Sequence, residues 1–198
     1  MNADFTHTTL GRTGLQVHRL GLSASYRPGK NAVHTALDEG INFFFSFGID
    51  TQMASVLRDV VRTRRDAVIL ATGAYNYIYR HQNIRKSLER RLRQFNTDRI
   101  DIFLFLGVMK EKEFPPTVLE EMLQLREEGK VRCIGISTHE RRFAGMLAAR
   151  GALDVLMIRY NAAHRGAETD IFPHLAAHDT GLVSYTATRW GFLTRKTK

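Results

Sequence analysis

The strongest constraint on this chain is a repeated alternation: a short apolar run, a loop, then a segment with one apolar face. Ala67–Thr72 (Ala-Val-Ile-Leu-Ala-Thr) is apolar on both faces, and Asp101–Leu106 (Asp-Ile-Phe-Leu-Phe-Leu) is apolar after its first residue. Strands of that kind belong to a parallel sheet covered by helices on each side. Between the runs the period changes. Met53, Val56, Leu57, Val60 and Val61 fall at i, i+3, i+4, i+7 and i+8, and Ile84, Leu88, Leu92 and Phe95 mark another helix.

Taken in order, the pattern predicts strands at His18–Ser23, Ile41–Ser46, Ala67–Thr72, Asp101–Leu106, Val131–Ser137, Val155–Tyr160 and Leu182–Ala187. Thr9–Val17, with two glycines among apolar residues, reads as a hairpin ahead of them. Helices fall between the strands. Asn31–Glu39 is closed by Gly40, Pro115 and Pro116 open a helix that Gly129 ends, and Ile171–His178 forms the last. Strand and helix in alternation make a parallel sheet with right-handed crossovers, either closed as a barrel or open and doubly wound. The open, dinucleotide-binding form carries a glycine-rich turn after its first strand, where Ser23-Ala-Ser-Tyr26 stands here. No phosphate-cradling Gly-x-x-x-x-Gly-Lys-Ser/Thr loop occurs either, so the pattern favours a barrel. A single domain over 1–198 is expected, with the hairpin in 1–17 and the repeats in 18–198.

Composition excludes some classes. No apolar run approaches the roughly 18 residues of a membrane span. Met1–Thr9 is polar and lacks the apolar stretch of a secretion signal, so a cytoplasmic location is expected. The one cysteine, Cys133, lies in an apolar strand and points to no disulfide or cysteine-based metal site. The net charge of +9 is concentrated between Tyr79 and Arg99, where Arg80, Arg85, Lys86, Arg90, Arg91, Arg93 and Arg99 face only Glu89 and Asp98. Such a cluster is either a solvated helix face or an attractor of phosphate groups. Its one interleaved aromatic, Phe95, belongs to the apolar face of the helix and leaves none to stack bases, which argues against nucleic acid.

Six short motifs resemble the aldo-keto reductases: Leu10-Gly-Arg-Thr-Gly-Leu15, Arg19-Leu-Gly-Leu22, Gly40-Ile-Asn-Phe-Phe44, Gly129-Lys-Val-Arg132, Ile134-Gly-Ile-Ser137 and Tyr160-Asn161. They run in the family's order along essentially the whole chain. The resemblance implies an α/β fold of the (β/α)₈ TIM-barrel type, incomplete at seven strands, with an N-terminal β-hairpin. It also implies NADP(H) as cofactor and a small carbonyl compound or alcohol as substrate.

In such reductases a tyrosine protonates the carbonyl oxygen, a lysine and an aspartate tune it, and a histidine orients the substrate. Hydride arriving at carbon puts negative charge on oxygen, and that oxygen needs a donor of matched pKa. Here the positions read otherwise. The family's Asp-Thr-Ala is Phe45-Ser46-Phe47, the tyrosine's place falls at about Asp50, Ala-Thr-Lys is Ala71-Thr72-Gly73, and the histidine's place is Leu106-Gly107. No catalytic residue is assigned.

The resemblance implies cofactor-binding roles for two residues. Ser137 matches a serine that holds the nicotinamide carboxamide, and Tyr185 an aromatic residue that stacks on the ring. Read without the family, Ser137 is a helix N-cap and Tyr185 a core aromatic. Thr138 and Met157 replace an asparagine and a glutamine of the pattern, whereas Gly191 and Leu193 fit it. In relatives a further helix, an eighth strand and phosphate-binding basic residues follow; this sequence reaches Thr194-Arg-Lys-Thr-Lys198. A barrel typically needs about 250 residues, so the first and seventh strands are expected to show open edges: either the chain self-associates through them or packs them, or it is a fragment of a longer chain.

Other polar residues expected at the mouth are Ser46, Tyr75, Tyr77, His139, Arg159, His164, Arg165, Arg189 and Trp190. Tyr75 and Tyr77 are read as lying just past the third strand, where one could serve as a substitute acid. His174 and His178, four apart on a short helix, are surface histidines rather than ligands, and no metal site is expected. Two readings stand: a reductase relative with altered catalytic residues that keeps an NADP(H)-linked role, or a non-catalytic barrel acting as a pseudoenzyme, a ligand-binding module, a scaffold or a fragment of a longer chain.

Overall fold

A computed structural model describes residues 5–48, 50–75 and 83–196. Of the residues singled out above, Tyr77, Arg80 and Lys198 lie outside that set. An antiparallel hairpin, β1 (His7–Thr9) and β2 (Gln16–His18), precedes a parallel sheet of β3 (Gly21–Ser23), β4 (Phe43–Phe45), β5 (Ile69–Tyr75), β6 (Ile100–Val108), β7 (Val131–Thr138), β8 (Val155–Arg159) and β9 (Gly181–Tyr185). Neighbours in the sheet are neighbours in sequence, so each crossover advances by one strand. The result is a curled, incomplete (β/α)₈ barrel. Among the described strands, β3 and β9 each pair on one side only.

The helices are α1 (Gly29–Asp38), α2 (Thr51–Thr63), α3 (Ile84–Phe95), α4 (Pro116–Glu127), α5 (Arg141–Arg150), α6 (Ala167–Asp170) and α7 (Phe172–Leu175). The strands' period of two divides their apolar residues between two layers. Phe44, Leu70, Phe103, Ile134 and Leu156 face the helices and meet Met53, Leu57, Leu88 and Met122. Phe43, Phe45, Ile69, Ile102, Leu104, Cys133, Val155 and Met157 face inward, and Leu10, Leu15 and Val17 of the hairpin region plug the lumen from below. Burial pushes the Cys133 thiol up to about 11, which keeps it protonated.

Three polar residues near strand starts fasten the bottom. Asn42 Oδ1 accepts the His18 N–H at 2.8 Å while its Nδ2 donates to Gln16 O at 2.8 Å. The Asp101 carboxylate accepts the Leu70 N–H at 2.8 Å and Arg65 Nη2 at 2.9 Å. Asp154 accepts the Ile134 N–H at 3.0 Å and lies 3.1 Å from Arg12 and 3.2 Å from Arg126. Because Arg12 lies in the turn between β1 and β2, the last cluster also holds the plug in place.

Element boundaries depart from expectation in several places, and four of the departures bear on the argument. The expected first strand is broken: His18 ends β2, and β3 begins at Gly21 after the exposed Leu20. The third strand runs on to Tyr75, so that residue ends β5 rather than following it. The fourth runs on to Val108 through a register shift at Gly107, whose φ of +77° suits glycine. The last expected helix, Ile171–His178, shortens to α7, and α6 precedes it as a separate turn, because Pro173 cannot donate a helical hydrogen bond and crowds the preceding turn.

Candidate functional site

The C-terminal strand ends open onto a cavity of about 700 Å³. Its walls include Phe45, Phe47, Tyr75, Leu106, Ser137, Met157 and Tyr185, and it continues sideways between Gly21–Ser23 of β3 and Leu182–Ser184 of β9. The lateral opening is the seam of the incomplete barrel.

Four positions decide its chemistry. Phe45 is buried and packs against Phe47 at 4.9 Å between ring centroids, and Phe47 packs against Tyr75 at 5.7 Å. Asp50 is the N-cap of α2: its Oδ1 accepts the Gln52 N–H at 2.9 Å and the Met53 N–H at 3.3 Å. Leu106 is buried at the mouth as the register partner of Tyr75. At Gly73 a Cβ would run into the carbonyl oxygen of Leu104 and lie 2.8 Å from Leu106 Cγ. That position holds no side chain unless the strands move.

Ser137, on β7, faces the same cavity and does not cap a helix. Glu140 caps α5, accepting the Arg142 N–H at 3.1 Å. The Ser137 hydroxyl makes no hydrogen bond with another described residue. Its neighbour Thr138 points outward and is engaged, donating to Val108 O at 2.8 Å and accepting the Glu140 N–H at 2.9 Å. Met157 fills the lumen beside them.

Tyr185 ends β9 as a half-buried wall of the cavity, where it also packs against the inward-facing core. Its hydroxyl lies 3.0 Å from His139 Nδ1, with the rings edge to face at 82°. Burial pushes the Tyr185 phenol up to about 12, Arg159 opposing. Burial, aided by Arg159, pushes His139 down. At neutral pH the pair is therefore a phenol hydrogen-bonded to a neutral imidazole, whose tautomer sets which of the two donates. Tyr75 is also raised by burial. The Tyr185–His139 contact joins residues 46 apart, and no local motif announces it.

The model of the aldo/keto reductase family matches residues 18–198. This chain belongs to that family. An aldo-keto reductase of Bacillus subtilis, YhdN, is 26% identical over 96% of this chain, which spans 64% of that relative's length. Among solved structures, an aldo-keto reductase of Bacillus halodurans in its holo form superposes with a TM-score of 0.78 at 21% identity, covering 98% of this chain and 70% of the other. One from Klebsiella pneumoniae in complex with NADP and acetate gives 0.75 at 21%, covering 96% and 71%. At these identities the structures show a shared fold.

The remaining mouth residues of this aldo/keto reductase barrel are variously engaged. Ser46 is buried, and His164 Nδ1 lies 3.1 Å from Asn161 Oδ1. Arg165 pairs with Glu168 at 2.8 Å. Arg189 lies over Phe192 at 4.8 Å, and Trp190 is an exposed part of the cavity rim. His178 Nε2 lies 3.0 Å from Ala149 O. Much of the basic cluster is also engaged. Arg85 makes two 2.6 Å bonds to Glu128, and Arg99 lies 3.2 Å from Asp66. Arg91 is buried against Gly48 O at 3.3 Å and Gln94 at 2.6 Å, its guanidinium lowered to about 10 by burial and by Arg90.

Proposed function

We propose that this barrel receives the nicotinamide end of NADP(H) at Ser137 and Tyr185, beside a small carbonyl compound, and does not perform carbonyl reduction by its family's usual acid–base route. One observation carries the reading. The reacting positions hold Phe45, Gly73 and Leu106, yet the Ser137 hydroxyl and Tyr185 ring remain turned into the same cavity.

The residues fit the group. A nicotinamide is a flat ring bearing a carboxamide, and the cavity supplies an aromatic wall and an unengaged hydroxyl. Its volume falls within the about 300–1,000 Å³ common for ligand pockets. The structure of the Klebsiella relative with NADP supports the choice of cofactor. When bound, such a cofactor supplies hydride to a carbonyl carbon; this chain's part is to bind, orient and exclude water. Phe45, Phe47 and Leu106 keep the floor dry, whereas a phenol raised to about 12 is a poor proton donor at neutral pH. Losing a placed acid or base commonly costs about 10² to 10⁴ in rate. The uncovered edges of β3 and β9 add self-association to the proposal.

Titration of the folded protein with NADPH, followed by cofactor fluorescence, tests the reading. Saturable micromolar binding is expected, weakened severalfold or more in Tyr185→Ala and in Ser137→Ala. Absence of binding by a folded sample overturns it. Aldehyde reduction near the about 10 s⁻¹ of an ordinary enzyme would overturn its non-catalytic half.

A further inference from the structure

Arg159 is a charged residue at the mouth that has no counterion among the described residues. Along β8, Val155 and Met157 face the lumen while Leu156 and Ile158 face the helices, so the strand's alternation aims Arg159 to the lumen side. Its register partner on β9 is Tyr185. The residue is half-buried, and it makes no hydrogen bond or ion pair with a described residue. By contrast Arg12, Arg65, Arg85, Arg126, Arg141 and Arg165 each hold a carboxylate.

The surroundings offer Arg159 none. Among the described residues, no Asp or Glu lines the cavity. Residues 76–82, in the segment joining β5 to α3, contain no Asp or Glu. The nearby loop carboxylates serve the backbone: Asp50 caps α2, Glu113 accepts the Met109 N–H at 2.8 Å, and Glu140 caps α5. The charge of Arg159 acts on both His139 and Tyr185.

A guanidinium partly withdrawn from water loses hydration that only an anion or acceptor restores, and its fork matches a carboxylate bidentately. Its register partner Tyr185 belongs to the wall of the cavity, which is otherwise aromatic and apolar through Phe45, Phe47, Leu106 and Met157. We propose that the barrel mouth binds small monocarboxylates with an apolar body, the carboxylate on Arg159 beside the Tyr185–His139 pair and the body in the cavity. The site needs no nicotinamide, so it stands or falls separately from the cofactor reading.

Calorimetric titration without NADPH, using benzoate and its uncharged isostere benzamide, tests it. Benzoate is expected to bind at least tenfold more tightly than benzamide. Arg159→Gln should remove most of that preference, and Arg159→Lys, which keeps the charge without the fork, should retain part of it. Equal affinity for the two probes overturns the proposal, and that comparison needs no variant to fold. An unchanged benzoate affinity in a folded Arg159→Gln protein also overturns it.

Discussion

At Asp50 the family's tyrosine position carries a side chain already committed to the fold. Its carboxylate satisfies two N–H groups at the start of α2, and replacing such a cap costs about 0.5–2 kcal/mol. Asp50→Tyr is therefore expected to lower stability by about 1 kcal/mol in urea unfolding while giving no gain in NADPH oxidation. Gly73→Lys fails for a different reason. Its Cβ meets the Leu104 carbonyl, and overpacking of this kind costs about 1–3 kcal/mol or more, so a large loss of unfolding midpoint is expected. The Tyr185–His139 pair makes a pH prediction. Because the His139 pKa is depressed in the fold, below the ordinary histidine value of about 6.5 the unfolded chain takes a proton that the folded chain resists. The contribution is thus present above that pH and is lost as pH falls through the folded pKa. Proton NMR should show His139 titrating below the ordinary histidine value of about 6.5, and Tyr185→Phe should move its titration. Residue identities at the mouth were legible beforehand, but their tasks were not. Whether Ser137 capped a helix depended on Glu140 three positions on, and the partner of His139 lay two strands away.

Between elements, α3 and α4 are joined by the two bonds of Arg85 to Glu128. Arg85, supported by Lys130, holds the Glu128 carboxyl down at about 2. The sign follows from linkage: the unfolded carboxylate binds its proton first, so the contact's contribution is present above the ordinary glutamate range and is lost as pH falls toward about 2. Glu128→Gln should flatten the acid limb of thermal stability against pH and leave the neutral limb with a small, salt-sensitive change, since the pair is partly exposed. A similar decline with and without the substitution would show that the pair does not couple the helices. The pattern of apolar runs located the strands because those runs are buried on both faces. It misjudged ends where the cause was not periodic: a bulge at Gly107, a proline at 173, and a chain that leaves the hairpin at His18 before re-entering the sheet at Gly21.

On the scale of the whole molecule, the barrel's incompleteness places its cavity and its exposed strand edges together. Among the described strands, β3 and β9 each have a neighbour on one side only, and the cavity opens through the gap between them. Leu20, Tyr26 and Trp190, 66%, 70% and 62% exposed, stand around that opening. Uncovered parallel edges beside exposed apolar side chains are a template for pairing with another chain. Concentration-dependent association is accordingly expected in sedimentation velocity, from the micromolar range upward. Leu20→Lys together with Ala187→Lys, at positions lining the opening, sets like charges across the seam and should shift the protein toward monomer without a change in circular dichroism. Association that persists unaltered in the double variant would place the contact elsewhere. A monomer at every concentration would mean that the hairpin and rim already shield the edges, and the seam would then serve as a side entrance for small ligands alone.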